Sequence, residues 1–374
     1  MVILGGGFAG VEAVKEVARI GLTNLMNVSL INKSNKFEFL PALPELLSGK
    51  VLEEDITGYL PRYAQRHGVN FLKEEVRSIN LDSSILVTNK RELSFNYLII
   101  ALGAEPNFYS VSGVENVIPA YRVSDYLKIK EELRKMIQRR KPAVVIAGAG
   151  LTGVEVAGEI MDYFEENNVS GEVTLVEKMA STLPLLCLPR ASALVEEFLE
   201  KRDVKFVFSK GVTEVRRGET ILEDKTSIQH DLMIWTAGIK PSNIAKGLKV
   251  PKVRGWIKVD PYMRVKSFKN VYAVGDINYA EVDGRVAMEA AGEAIDQAKI
   301  AVRNIYRSMR RRELIKHEVS YSIDSPKCLI SLGQNTAVLV YGRRIVVNGR
   351  IPYLIKKKLV EERYMRRFRR FNMN

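Results

Sequence analysis

Apolar residues fill the opening of the chain from Met1 to Leu4, give way to a glycine-rich run from Gly5 to Gly10, and then recur at helical spacing from Val11 to Arg19. A further apolar stretch, "NVSLINKS", follows. A short continuous apolar run, a tight turn, a helix and a second apolar run make a strand-helix-strand unit whose strands are buried on both faces. The same order returns as "AVVIAG", a helix over about Gly153 to Phe164, and "GEVTLVEK", with an offset of 143 residues from Gly5 to Gly148. Each half then closes on an apolar strand that runs into small residues, "FNYLIIALGAEPN" at 95–107 and "HDLMIWTAGIKPS" at 230–242. A third such strand, "NVYAVGDIN", covers 270–278, and beyond it the pattern predicts a long helix from about Val286 to Arg312, short strands between 319 and 347, and a last helix from about Pro352.

This repeated alternation predicts the α/β class, with two Rossmann-like, doubly wound dinucleotide-binding domains and a small C-terminal α+β module ending in a basic amphipathic helix. The second unit lies between the first unit and the strand at 270–278. The first domain is therefore expected as 1–108 and 244–318, split around an inserted domain at 109–243, with the terminal module at 319–374.

At 374 residues and 46% hydrophobic, the chain has enough apolar material for two or three cores. No apolar run reaches about 18 residues and the first strand begins at Met1 or Val2, so neither a spanning segment nor a signal peptide is expected. Cys187 and Cys328 stand far apart without metal-ligand spacing, and with only three histidines no metal site is expected. The net charge of +13 gathers at the end, where Arg343 to Arg370 holds eleven Arg or Lys against two Glu. Five glutamines beside abundant Lys, Arg and Glu fit a hot habitat.

Gly5, Gly7 and Gly10 fit G-x-G-x-x-G, as do Gly148, Gly150 and Gly153. The first glycine allows the tight turn, the second lets backbone approach a pyrophosphate, the third lets helix pack on strand, and the helix start faces the anion. One match alone is weak; two in identical settings are not. An acidic residue at the end of the second strand should bind ribose hydroxyls, and Glu177 stands there in the second unit. A carboxylate repels a 2'-phosphate, so this site should prefer NADH to NADPH, although the adjacent Lys178 works against that preference. In the first unit the position is Asn32, which either bonds a ribose or caps a turn.

Five motifs, "LGGGFAGVEA", "LIIALGAEPN", "GAGLTGVEVAGE", "IWTAGIKPS" and "VYAVGDI", stand in the order of the two-dinucleotide flavoprotein superfamily. The chain resembles the type II NADH:quinone oxidoreductases over nearly its whole length, "FEFLPALPELLSGKV" included, with the sulfide:quinone oxidoreductases as a sister family. The resemblance implies FAD at Gly5, Gly7 and Gly10, with Asp276 at its ribityl and phosphate region and Pro41, Ala101 and Gly103 along it. It implies NADH at Gly148, Gly150, Gly153 and Glu177, with Ala237 and Gly238 passing near nicotinamide and flavin. The activity implied is hydride transfer from NADH to FAD and two-electron transfer to a quinone, without proton pumping.

Cysteines test the neighbouring chemistries. A dithiol enzyme needs a Cys pair on the helix after the first loop, and Val11 to Arg19 has none. For sulfide oxidation, Cys328 in "SPKCLISLG" has the right context but lacks a partner near the second loop, so a redox and an inert reading both stay open. Cys187 in "LPLLCLPRAS" reads as a buried structural residue. By resemblance Glu155 serves the quinone end; in so apolar a stretch as "LTGVEVAG" its charged form is disfavoured, while a surface position or a salt bridge is the alternative. Asp296 and Gln297 stand where the family carries two glutamines lining the quinone pocket, a departure that puts the acceptor contact in question.

In the tail, Ile351, Ile355, Leu359, Val360, Tyr364, Phe368 and Phe371 recur near helical spacing, with Lys and Arg largely around the other face. Such a helix fits the headgroup layer of an anionic membrane, on the cytoplasmic face, and a solvated tail or a dimer contact is the alternative. No module that reads nucleic acid accompanies the charge, and the sequence leaves a homodimer open.

Overall fold

The computed structural model describes residues 1–138 and 141–369. Its two largest sheets are five-stranded and wholly parallel. The first runs in the order Val271–Ala273, Leu98–Ile100, Val2–Leu4, Ser29–Asn32, Asn70–Lys73. The second runs Ile118–Pro119, Leu232–Trp235, Ala143–Ala147, Glu172–Glu177, Val204–Phe208. In both, the strand that enters the glycine loop is central, with its successor on one side and a late strand on the other. Strand order reverses there, and that reversal opens a crevice at the carboxyl ends of the strands, where the loops lie. Ile3 and Ile146 are fully buried, which accounts for the unbroken apolar runs.

The duplication extends past the motifs that revealed it. Each parallel sheet is interrupted in the chain, just before Leu98–Ile100 or Leu232–Trp235, by a three-stranded antiparallel one, Val76–Asn80 with Ile85–Thr88 and Glu92–Ser94, and Val212–Arg216 with Glu219–Leu222 and Ser227–Gln229. The chain passes between the halves along two antiparallel straps, Ala104–Pro106 and Ile239–Pro241, in which Glu105 pairs with Lys240. The long helix is Ala291–Met309, shorter than the expected Val286 to Arg312 because Glu281–Val282 and Arg285–Val286 form a hairpin first. It packs against Phe8–Arg19, the helix after the first loop.

The terminal module is an antiparallel sheet of Lys327–Gly333, Thr336–Tyr341 and Ile345–Gly349, followed by helical turns at Arg350–Ile355, a π-helical stretch at Lys356–Glu362, and Arg363–Arg369. Its first strand lies on the helix Leu151–Glu166, so closely at Gly158 that a Cβ there would strike the Leu332 carbonyl.

The single apolar face expected of the tail is divided. Tyr364 and Phe368 turn inward: Phe368 stacks on Phe37 with centroids 4.8 Å apart, and Tyr364 lies 5.1 Å from Phe8 and 5.4 Å from Phe39. Gly58 leaves room for the Phe368 ring, and Arg367 bonds Glu12 at 2.8 Å. Ile351 and Leu359 turn outward, 73% and 61% exposed, with Leu354 and Val360. Phe371 and Arg370 lie outside the described residues. Periodicity shows that a stripe is apolar; it does not show what covers it.

Candidate functional site

The two loops are built alike, bond for bond. The N–H of Gly5 donates to the Ile31 carbonyl at 2.8 Å, and that of Gly148 to the Val176 carbonyl at 2.7 Å. Both glycines have positive φ, +100° and +97°. A Cβ on Gly10 would strike the Gly5 carbonyl, and one on Gly153 the Gly148 carbonyl, so the third glycine of each loop is fixed by close packing. Around the middle glycines, Gly7 and Gly150, there is nothing within 4 Å of the Cβ position. Each is also the first residue before its helix, and neither helix has a side-chain cap or an acidic residue in its first turn. Two helix starts therefore present unpaired N–H groups and a positive dipole end to open space, which is what a dinucleotide pyrophosphate requires.

From the next strand, one side chain in each half reaches back to brace its loop. Asn32 Oδ1 accepts from the Gly6 N–H at 3.0 Å, while its amide donates to the Ser34 carbonyl at 2.9 Å. Glu177 is buried; its Oε2 accepts from the Ala149 N–H and its Oε1 from the Met179 N–H, both at 2.9 Å. The Lys178 ammonium turns away to Glu223 at 2.7 Å.

Ala101 lies against the first loop, its carbonyl under Gly5, and Gly103 follows with φ +68° and open space around it. Pro41 sits half-buried in the turn Leu40–Ala42. In the second half, Ala237 lies beneath Gly148, and Thr236 Oγ1 donates to the carbonyls of Ala147 and Gly148 at 2.8 and 2.9 Å. Gly238, at φ +138°, backs onto the Tyr109 hydroxyl. Asp276 accepts the Trp256 indole N–H through its backbone carbonyl, and its carboxyl has no hydrogen bond among the described residues. Burial, with the charge of Glu289 added, pushes that carboxyl up to about 6. A half-buried carboxyl without a hydrogen-bond partner among the described residues suits a ligand that brings hydroxyl donors, so the residues around the first loop fit FAD, and those around the second fit NADH.

The residues expected at the acceptor separate into two places. Glu155 is buried on the helix Leu151–Glu166, where burial raises its pKa while Lys356 and the Ser331 N–H act against the rise. Lys356 Nζ lies 2.7 Å from Glu155 Oε1, and the Ser331 N–H donates to the same oxygen at 3.0 Å. The two readings of Glu155 therefore meet in one residue, since it is both desolvated and ion-paired. Gln297 is buried elsewhere: its Oε1 accepts from the Gly275 N–H at 2.9 Å and from Asn278 at 2.8 Å, holding the turn that carries Asp276. Asp296, one residue away, faces outward and pairs with Lys299 at 3.0 Å. Adjacent helical positions point about 100° apart, so the expected pair is split.

Cys328 lies on the strand beside Glu155; burial, with the charge of Glu155 added, pushes its thiol up to about 12. Cys187 is exposed, against the expectation of a buried residue. Leu183 and Cys187 both take positive φ, 51° and 49°, and the turn swings Leu185 and the thiol outward. The sequence reading missed Lys356, which it took for one of several surface lysines, and the buried Glu45 and Glu361 near it. Nothing in α-helical spacing marks them, because the stretch that carries Lys356 and Glu361 is π-helical.

Parallel sheets with two matched, uncapped glycine loops define an oxidoreductase that binds two dinucleotides. Residues 1–303 match the pyridine nucleotide-disulphide oxidoreductase family, and the chain belongs to it. Type II NADH:quinone oxidoreductase of Staphylococcus aureus is 25% identical, with 96% of this chain and 93% of that protein aligned. Alternative NAD(P)H-ubiquinone oxidoreductase C1, chloroplastic/mitochondrial, of Arabidopsis thaliana is 24% identical over 84% of this chain and 68% of its own. Two solved structures share the fold at TM-score 0.83. Sulfide:quinone oxidoreductase of the hyperthermophilic bacterium Aquifex aeolicus is 17% identical and aligns over 99% of this chain and 91% of its own. NDH2 of Plasmodium falciparum in complex with NADH is 16% identical, over 98% and 97%.

Proposed function

We propose that the chain is an FAD-dependent oxidoreductase that takes a hydride from NADH and passes two electrons to a membrane quinone, without pumping protons. The observation that carries this reading is the pair of matched, uncapped loops, in a chain aligned over 96% of its length with a type II NADH:quinone oxidoreductase. FAD belongs to 1–108 and 244–318, held by Gly5, Gly7 and Gly10, with Asp276, Pro41, Ala101 and Gly103 along it. NADH belongs to 109–243, held by Gly148, Gly150 and Gly153, with Ala237 and Gly238 where it meets FAD. FAD, when bound, supplies the hydride acceptor and the two-electron donor. The chain supplies position and field: helix starts for the phosphates, Glu177 to disfavour a 2'-phosphate, Gln297 to hold the turn of Asp276, and Glu155 with Lys356 at the acceptor end.

No described helix is long and apolar enough to cross a membrane. The face we assign to the membrane, on its cytoplasmic side, is that of the terminal module, 319–374. Exposed Ile351, Leu354 and Leu359 lie there in one run of chain with exposed Arg343, Arg344, Arg350 and Lys358. Apolar side chains enter the headgroup layer, and each basic residue near an anionic leaflet contributes about 1 kcal/mol.

Anaerobic titration of the flavoprotein with NADH, NADPH and sulfide in parallel tests the donor. NADH should bleach the visible flavin absorbance, NADPH only weakly, and sulfide not at all. Bleaching by sulfide and not by NADH would instead support the sulfide-oxidising alternative, which the high pKa of Cys328 does not favour. For the membrane, Ile351→Glu with Leu359→Glu should abolish sedimentation with anionic liposomes while leaving flavin content unchanged. Unaltered sedimentation would rule that face out.

A further inference from the structure

A hairpin turn from outside the second glycine loop reaches the rim of the NADH crevice. Lys178 follows Glu177 at the end of Glu172–Glu177, and the end of the next strand lies against it. The Lys210 N–H donates to the Glu177 carbonyl at 3.3 Å and the Ser209 N–H to the Met179 carbonyl at 3.0 Å. Lys178 and Lys210 therefore flank the residue assigned to the adenosine ribose. Beside both comes the turn 223–226, between Glu219–Leu222 and Ser227–Gln229. It is closed by the Leu222 N–H on the Thr226 carbonyl at 2.9 Å, with Lys225 in the left-handed region at φ +68°.

That turn carries two carboxylates, each paired with one of the lysines. Glu223 Oε1 lies 2.7 Å from Lys178 Nζ, and its Oε2 accepts the Gly211 N–H at 3.2 Å. The Glu223 N–H donates in turn to the Gly211 carbonyl at 2.9 Å, and a Cβ on Gly211 would come within 2.9 Å of Glu223 Oε1, so a side chain there would crowd this carboxylate. Asp224 Oδ2 lies 2.5 Å from Lys210 Nζ, while its Oδ1 accepts the N–H and the hydroxyl of Thr226 at 3.1 and 2.5 Å. Lys210, with Thr226, holds the Asp224 carboxyl down to about 2, and Lys178, with the Gly211 N–H, holds Glu223 below its ordinary value, so both are charged at neutral pH. Lys225 of the same turn acts on Glu214 instead. Glu177, Glu223 and Asp224 thus meet Lys178 and Lys210, three negative charges against two positive.

We propose that Glu223 and Asp224 set the nucleotide preference of this site, holding Lys178 and Lys210 away from the 2'-position so that NADPH is disfavoured and NADH admitted. The inference rests on the NADH reading of the second half. A 2'-phosphate brings about two negative charges and three acceptor oxygens, and an ammonium beside the ribose is the group that would bind it. Lys178 and Lys210 are placed for that role, each a compact charge with three donors on a flexible stem. To take it up, each must leave its carboxylate, and the carboxylate then stays near the phosphate and repels it. NADH has a hydroxyl at the same position and requires neither lysine to move. Both pairs are open to solvent and contribute little to stability, so their effect is on which charge the rim presents. Glu223 and Asp224 are positioning residues, acting on the nucleotide through the two lysines. Glu177 is therefore only part of the discrimination, since without the turn its charge would be outweighed by two free ammonium groups.

The test is the binding of NAD⁺ and NADP⁺ to the oxidised full-length flavoprotein by isothermal titration calorimetry, where no electron transfer contributes. Glu223→Gln keeps an acceptor for the Gly211 N–H and removes the charge. It should raise the affinity for NADP⁺ about fivefold and that for NAD⁺ by less than about twofold. Glu223→Gln combined with Asp224→Asn, which frees both lysines, should raise the NADP⁺ affinity roughly 20-fold. Adding Lys178→Met to Glu223→Gln should cancel most of the gain, which the mere loss of a repelling carboxylate would not do. An NADP⁺ affinity unmoved in the double variant overturns the proposal. So does an equal rise for both nucleotides, or a gain of full size that survives Lys178→Met. A natural flavoprotein that binds neither NAD⁺ nor NADP⁺ overturns the NADH reading itself.

Discussion

The helix after the first glycine loop and the helix after the second start from the same uncapped glycine, yet the side chain that braces the loop is an amide in one half and a carboxylate in the other. Asn32 and Glu177 do the same structural work, each accepting a loop N–H at 3.0 or 2.9 Å. What differs is charge. A neutral brace beside a diphosphate adds no repulsion and suits a cofactor that stays. A negative one weakens any polyanion and most of all one with an extra 2'-phosphate, which suits a donor that must leave. A second difference lies outside the loops: the aromatic end of the tail docks on the first half, Phe368 and Tyr364 on Phe37, Phe39 and Phe8, whereas the second half meets the terminal module through the helix Leu151–Glu166, where Lys356 bonds Glu155.

The largest expected effect exploits that second difference. Phe368→Ala empties a fully buried aromatic site and should cost about 3–5 kcal/mol in denaturant unfolding, releasing flavin before the second half loosens. Simultaneous loss of both halves would show that the tail stabilises them as one unit.

Gly10→Ala and Gly153→Ala come next, each driving a Cβ into a backbone carbonyl. Such overpacking costs roughly 1–3 kcal/mol, about 5- to 150-fold in affinity. Gly10→Ala should yield protein that loses its flavin on dialysis. Gly153→Ala should keep the flavin and bind NADH more weakly in anaerobic titration; if it sheds flavin as well, the two loops do not serve separate ligands.

Glu177→Gln keeps an acceptor for the loop N–H and removes the charge. The ratio of NADH to NADPH affinity should fall roughly tenfold, about 1.4 kcal/mol, and an unchanged ratio would remove Glu177 as the discriminating group. The smallest effect is Asn32→Asp, which leaves the Gly6 bond in place but exchanges the donor to the Ser34 carbonyl for an acceptor. It should cost about 1 kcal/mol, read as a several-fold faster loss of flavin; a faster loss of NADH would contradict the assignment.

The parallel sheets and loops were legible because their signal is local: a glycine that must turn, a strand buried on both faces and a helix start all sit within a dozen residues. The acceptor end was not. Glu155 and Lys356 are 201 positions apart, and Glu45 comes to them from a third element, so their meeting depends on tertiary packing alone. Asp296 and Gln297 were read as a pair because they are neighbours in sequence, and the helix turns one outward and the other onto Gly275. In the tail, amphipathic spacing was real, but Tyr364 and Phe368 found their apolar partner within the chain, leaving Ile351 and Leu359 to the outside.

The edge strand Val271–Ala273 of the first sheet has a consequence for synthesis. It pairs with Leu98–Ile100, and the whole second sheet, strands 118 to 208 and 232 to 235, lies between them in the chain. A ribosome therefore delivers every strand of the second sheet before the first can be closed, leaving the Leu98–Ile100 edge bare meanwhile. The half made first is finished last, and a nascent chain stalled before Val271 should be more prone to aggregate than one stalled just after Ala273.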